Sequence, residues 1–295
     1  MNTIVAAVGF GLITASILAV AGVGFTLQFG VTNILNLAYG DIMTATAFLG
    51  YMLTKAGVDV WIALAAGAVF GAVFSLALNR VLYTPFARRG TKLFGMIIVA
   101  ISVSLIIQNG LQAIFGATFF SLTMSQGHSY RLGSMVFTTA QLGIIGIAVV
   151  AMLMVHLLLS RTKLGKAMRA TAADPDLARS CGIATDRVID VTWLLSGALC
   201  GIAGIALVMN ITSFTSTTGG AALIPIVSAA VLGGVGQPYG AMLGALVIGI
   251  SSELAAALIS PDYKQAAAFV ILIAVLLVRP QGILSEVATQ KEVVA

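Results

Sequence analysis

The residues of this chain whose types could do chemistry are polar side chains set inside otherwise apolar stretches. The first group lies in TLQFGVTNILNLAYGD, which carries Gln28, Asn33, Asn36 and Asp41. Asn33 and Asn36 are three positions apart and would share one face of a helix. Such amides either line a polar pathway, or meet a partner's pore helix, or act as interhelical hydrogen-bond glue worth about 1 kcal/mol each. Asp41 directly precedes the run IMTATAFLGYML and reads as the cap of a helix over 41–54 at a membrane boundary. Glu253, flanked by Ser251 and Ser252, is the one carboxylate well inside a late apolar run and has no basic residue beside it. An acid at membrane depth is a functional-site candidate. At about 21 Å from Tyr239 along a helix, it also reaches towards an interface. Gln108 and Asn109 are lesser candidates of the same kind, and His128 and His156 read as structural.

This chemistry is that of holding or passing a small molecule, not of transforming one. No G-x-x-x-x-G-K-[ST] occurs, since Gly90-Thr91-Lys92 and Gly165-Lys166-Ala167 do not fit, so the chain is not expected to hydrolyse nucleotide by itself. HExxH, CxxC and GxSxG are absent too, and the two cysteines, Cys181 and Cys200, read as small fillers. No catalytic residue, metal site or cofactor is predicted.

The elements that must position these residues are membrane helices. Only 8% of residues are charged, against about a quarter in a soluble domain, and the mean hydropathy is +1.07. Apolar segments recur at about 4–23, 41–54, 60–79, 93–115, 139–159, 189–209, 239–259 and 265–279, with shorter, broken pieces at about 26–38 and 222–235. The second broken piece holds Pro225 and six glycines between Gly219 and Gly240, a composition suited to a hinge or to tight static packing. The expectation is an all-α integral membrane protein, a single domain over 1–295, with about eight full spans and two short or broken ones. The first span lacks the charged lead of a cleaved signal peptide.

Charge sets the orientation. Arg80, Arg88, Arg89 and Lys92 share one connector, six basic residues lie within 161–187, and Arg279 and Lys291 lie in the tail, which together make twelve of the fifteen. These belong on the cytoplasmic side, and with the N-terminus placed there too both short pieces must cross, which gives ten crossings and two cytoplasmic termini. The net charge of +5 then reflects topology and not nucleic acid. Counted so, the two halves have the same order and direction, and Tyr39-Gly40 and Tyr239-Gly240 fall at equivalent joints, the mark of a parallel repeat. The stretch 116–137 is the largest external loop.

The longest polar run, RTKLGKAMRATAADPDLARSCGIATDR from Arg161 to Arg187, reads as a folded cytoplasmic connector. Leu164 to Thr171 favours helix. Asp174 caps a second short helix with Pro175 at its first position, and Gly182 stops it. Thr185 or Asp186 would cap the next span, near Val188. The run is either a surface offered to a partner or an ordinary loop made basic by topology.

Three stretches in order, FGVTNILNLAYGD, GKAMRATAADPDLARSCGIATDRV and AAVLGGVGQPYGAMLGALVIG, resemble the permease subunits of branched-chain amino acid ABC importers, specifically the shorter member of the permease pair. The resemblance spans nearly the whole chain. It implies a bacterial inner-membrane subunit that pairs with a second, homologous permease, rests on two ATP-binding subunits, receives a small-molecule substrate from a periplasmic binding protein, and works by alternating access. It implies ATPase coupling for 161–187, with Gly165, Lys166, Arg169, Ala170, Asp174 and Gly182 in that role, and a translocation pathway among Gln28, Asn33, Asn36, Asp41, Gln108 and Glu253. Tyr39 departs from the family's usual histidine before Gly-Asp, which leaves the substrate open among branched-chain and other amino acids, amides, urea and small aromatic acids. The competing reading is a self-contained secondary carrier or channel, which has no need of a docking helix pair.

Overall fold

The computed structural model describes residues 2–122, 129–132, 135–211, 213–278 and 282. Twelve α-helices carry the fold, because in hydrocarbon a helix satisfies its own backbone polar groups. They are α1 (Asn2–Thr32), α2 (Tyr39–Lys55), α3 (Val60–Leu78), which runs through a π turn at Asn79–Tyr83 into α4 (Thr84–Arg88), α5 (Leu93–Phe115), α6 (Thr139–Arg161), α7 (Lys163–Ala173), α8 (Pro175–Ser180), α9 (Thr185–Asn210), α10 (Thr218–Gly233), α11 (Pro238–Leu258) and α12 (Lys264–Val278). Among the described residues the strands are one small hairpin, β1 (Ser129–Leu132) and β2 (Met135–Thr138), with Ser129 opposite Thr138. Thr138 and Gln141 cap α6 reciprocally, each side chain serving the other's backbone N–H.

Among the described residues six helices are long and apolar enough to cross a membrane; α2, α10 and α12 are shorter. The sequence predicted about eight full spans and two broken ones; two of the eight, 41–54 and 265–279, form the shorter helices α2 and α12, and one of the broken pieces is part of α1. The pieces at 4–23 and 26–38 are not separate crossings, because α1 is helical without a break from Asn2 to Thr32. It ends where Asn33 enters the left-handed region at φ 52° and its N–H bonds to the Phe29 carbonyl at 2.7 Å. The second piece, expected to be broken at Pro225, is also one helix, α10.

The bundle has two distinct ends. Arg80 pairs with Asp190 at 2.7 Å and Arg88 with Asp186 at 3.5 Å, which puts the α3–α5 connector beside the start of α9, directly after α7 and α8, at a basic end. The hairpin marks the other. α1 packs against β2 near its start and brings Gly30 against Gly236 near its finish. Its first residues therefore lie at the hairpin end, not with the basic loops as the crossing count required. α12 runs back to the basic end, where Gly282 lies against Gly234. Arg279, Lys291 and His128 fall outside the described residues.

Removing one crossing changes parity, and with it the repeat. Five transmembrane elements, α1, α2, α3–α4, α5 and α6, precede α9, so the second half is inverted. α1 and α9 lie antiparallel at the centre, with 50% and 67% of their spans buried against 17% for α5. α3 packs on α9 as α11 packs on α1. α2 leaves the interior towards the hairpin end and α10 leaves it towards the basic end. The repeat is thus an inverted one about an axis in the membrane plane, not a parallel one. Tyr39 and Tyr239 are not equivalent: the first is buried beside Cys200 and the second is exposed at the basic end.

Candidate functional site

Three places collect the polar residues singled out in the sequence. The first is the connector at the basic end. Thr162 caps α7, its hydroxyl accepting from Gly165 N–H at 3.0 Å. Asp174 caps α8 as expected, accepting from the backbone of Asp176 at 3.0 Å and Leu177 at 2.9 Å, with Pro175 at the first position. Gly182 follows at φ 85°. α9 starts at Thr185 and has no side-chain cap, because Ala184 occupies the capping position; the Thr185 hydroxyl accepts from the Arg179 guanidinium at 3.0 Å. Arg169 reaches back to the Leu159 carbonyl at 2.5 Å, and Gly165 is seated so tightly that a Cβ there would lie 2.4 Å from that same oxygen. The helix pair is therefore fastened to α6 through Gly165 and Arg169 and to α9 through Arg179. Lys166 and Asp174 are exposed and Ala170 is half-buried. Leu177 is 62% exposed, an apolar side chain between charged neighbours that sequence reasoning passed over; its position in the first turn of an amphipathic short helix was the available signal.

The second place is the interior, where α2 and α10 begin side by side. The Gly219 N–H donates to the Thr44 hydroxyl at 2.9 Å. A Cβ on Gly219 would come within 1.9 Å of the Gly40 carbonyl oxygen, so only glycine allows this approach. Asp41 sits in the first turn of α2, 2% exposed, and accepts a hydrogen bond from Ser104 on α5. It is not the boundary cap expected from the sequence: α2 starts two residues earlier, in the interior, at Tyr39, and Asp41 also lies close to Gly220.

Asn33 and Asn36 do not share a helix face, because 33–38 is non-helical or turn; Asn33 is exposed and Asn36 is 1% exposed. Asn36 belongs to a buried network that fixes this re-entrant segment. Its amide donates to Gln28 Oε1 at 3.4 Å, Ser196 donates to the same oxygen at 3.1 Å, and the Tyr83 hydroxyl donates to Asn36 Oδ1 at 2.9 Å. Tyr83 packs on Trp193 with ring centroids 4.8 Å apart. Gln28 and Asn36 are thus buried inside this chain. Gln108 is half-buried on α5.

The third place is the hairpin end. Glu253 accepts from Thr14 at 2.8 Å and from Lys264 at 2.7 Å. The basic partner missing from its sequence neighbourhood is supplied by the start of α12, across the turn at Pro261–Tyr263. A cavity of about 390 Å³ opens beside the pair.

Residues 7–276 match the family described as branched-chain amino acid transport system / permease component. The high-affinity branched-chain amino acid transport system permease protein LivH of Escherichia coli (strain K12) is 32% identical, over 95% of each chain. The corresponding protein BraD of Pseudomonas aeruginosa is 30% identical, again over 95% of each. Among solved structures, a chain of PsaBC from Streptococcus pneumoniae, in complex with Fab, superposes with a TM-score of 0.53 at 13% identity, covering 92% of this chain and 91% of that one, a likeness of fold alone.

Proposed function

The chain belongs to the family of branched-chain amino acid transport system permease components, and from that membership we propose that it is one membrane subunit of an ATP-driven importer of branched-chain or other small apolar amino acids. Family membership carries ATP-binding and substrate-binding partners with it. The finer arrangement, with a second homologous permease, two ATP-binding subunits and a periplasmic binding protein, belongs to the proposal, as does the bacterial inner membrane with the basic end in the cytoplasm.

The observation that carries the reading is the connector. A loop made basic by topology alone has no need of two capped helices, whereas α7 and α8 are folded and fastened on both sides. In this reading Gly165, Arg169 and Gly182 form the joint, and Lys166, Ala170, Asp174 and Leu177 form the surface that meets an ATP-binding subunit. A displacement of α8 then reaches α6 through the Arg169–Leu159 bond and α9 through the Arg179–Thr185 bond. Gln28, Asn36 and Asp41 hold the interior crossing about which access alternates, while Asn33, Gln108 and Glu253 lie where substrate or the second permease reaches them.

Purification of the chain from its membrane in mild detergent, followed by mass spectrometry and an ATPase assay, tests the reading. Recovery of a second permease and ATP-binding proteins with ATPase activity is expected. A chain that purifies alone and moves amino acids in liposomes without ATP would overturn it.

A further inference from the structure

The cavity at the hairpin end is amphiphilic. On one side it is walled by Ile17 and Leu18 of α1, Leu207 of α9, and Ala222 and Pro225 of α10. On the other it is lined by Thr14, Asn210, Asp262, Gln265 and the Glu253–Lys264 pair. Its volume of about 390 Å³ falls within the ~300–1,000 Å³ of small-molecule sites. The pair is wet on one side only: Glu253 is 13% exposed and Lys264 is 44% exposed. Both hydrogen bonds to the carboxylate fall on Oε1, and Oε2 has no partner among the described residues. A second recess, lined by Ala6, Phe10 and Ala257, reaches the same pair from the lipid-exposed side of α1.

We propose that this cavity is a recognition site for the zwitterionic head and apolar side chain of an α-amino acid, in which Glu253 Oε2 receives the ammonium, Lys264 receives the carboxylate, and the wall from Ile17 to Pro225 takes the side chain. An α-amino acid carries its two charges on adjacent groups, so it can insert alongside an existing ion pair of opposite polarity without leaving either protein charge uncompensated. An apolar amine or an apolar acid satisfies only one half and leaves the other in competition with water. The site lies wholly within one subunit, on the side from which a binding protein would deliver. It rests on the reading of the chain as an amino acid permease and names the part of the substrate that the membrane subunit itself reads.

The test uses the assembled transporter in nanodiscs, without the binding protein, in a background where the exposed Cys181 is replaced by serine. Ala222→Cys is labelled with a maleimide, with Leu207→Cys as a second reporter should the first fail to assemble. L-leucine at saturation is expected to slow labelling about tenfold, by mass action, while isoamylamine and 4-methylpentanoate at the same concentration do not. Glu253→Gln is expected to raise the half-protecting leucine concentration by about ten- to a hundredfold, the worth of a hydrogen bond to a charged group. Equal protection by all three compounds, or none by leucine, overturns the site. So does protection without any amino acid in phosphatidylethanolamine discs that vanishes in phosphatidylglycerol discs, which would assign the cavity to a lipid headgroup. If the wild-type complex imports leucine and Glu253→Gln does so equally well, the site falls while the permease reading stands. If the assembled complex imports no amino acid at all, the permease reading falls first.

Discussion

The backbone N–H of Gly219 donates to the hydroxyl of Thr44 at 2.9 Å, fastening the first turn of α10 to the first turn of α2 in the interior of the bundle. Gly219→Val is expected to force these two helix starts apart, since even its Cβ would lie 1.9 Å from the Gly40 oxygen. Overpacking of this kind costs about 1–3 kcal/mol or more, and the thermal unfolding temperature in detergent should fall accordingly. Thr44→Ala, which removes the acceptor of the Gly219 N–H and the donor to the Gly40 carbonyl without any volume conflict, should cost about 1–3 kcal/mol. Equal stability of Gly219→Val and the wild type would contradict the close crossing.

Asn36→Leu should lower stability and uptake together. The substitution removes the acceptor of the Tyr83 hydroxyl and the donor to Gln28 in a buried setting, at about 1–3 kcal/mol. Quantifying folded protein and ATP-driven uptake side by side decides the matter: loss of uptake with full retention of folded protein would put Asn36 on the route of the substrate instead.

Leu177→Ala and Arg169→Ala should separate two roles in the connector. Leu177 is 62% exposed, so its truncation should leave the permease's unfolding temperature unchanged while weakening retention of the ATP-binding subunit by about tenfold, as loss of an apolar anchor does. Arg169→Ala frees the Leu159 carbonyl and should loosen the joint itself, reducing ATPase stimulation by transport even where the complex still assembles. Two variants with the same profile would mean that the helix pair has no distinct face and joint.

The Arg80–Asp190 pair is a modest contributor by comparison. Arg80 is 64% exposed and Asp190 23%, so solvent screens the interaction, and Asp190→Asn should lower the unfolding temperature only slightly at low salt and hardly at all at high salt. Unfolding temperatures at low and high ionic strength read this directly. A large, salt-independent loss would instead point to the Asn79 bond to the same carboxylate.

What the sequence made legible was local. The Asp174-Pro175 cap and the Gly182 stop are each decided by neighbouring residues, and α7 and α8 were readable to within a residue or two. The apolar runs were readable for the same reason. Relations across distance were not. The partner of Glu253 is eleven positions away around a tight turn, where adjacency along the chain could not reveal it. The pairing of Asn33 with Asn36 assumed a helix that Asn33 itself terminates by turning left-handed. That one misplaced break, counted as a crossing, also put the first residues at the wrong end and made the two halves look parallel. The matching Tyr-Gly dipeptides then lent false support, because Gly40 meets the start of α10 whereas Gly240 meets its end.

The interior crossing has an electrical consequence. The starts of α2 and α10 turn their positive dipole ends towards one another, each equivalent to about half an elementary charge, and together they amount to about one. One carboxylate stands there: Asp41, close to Gly220 in the first turn of α10 and itself in the first turn of α2. A carboxyl placed between two positive helix ends meets favourable dipoles from both sides, which offsets part of the cost of burying it there.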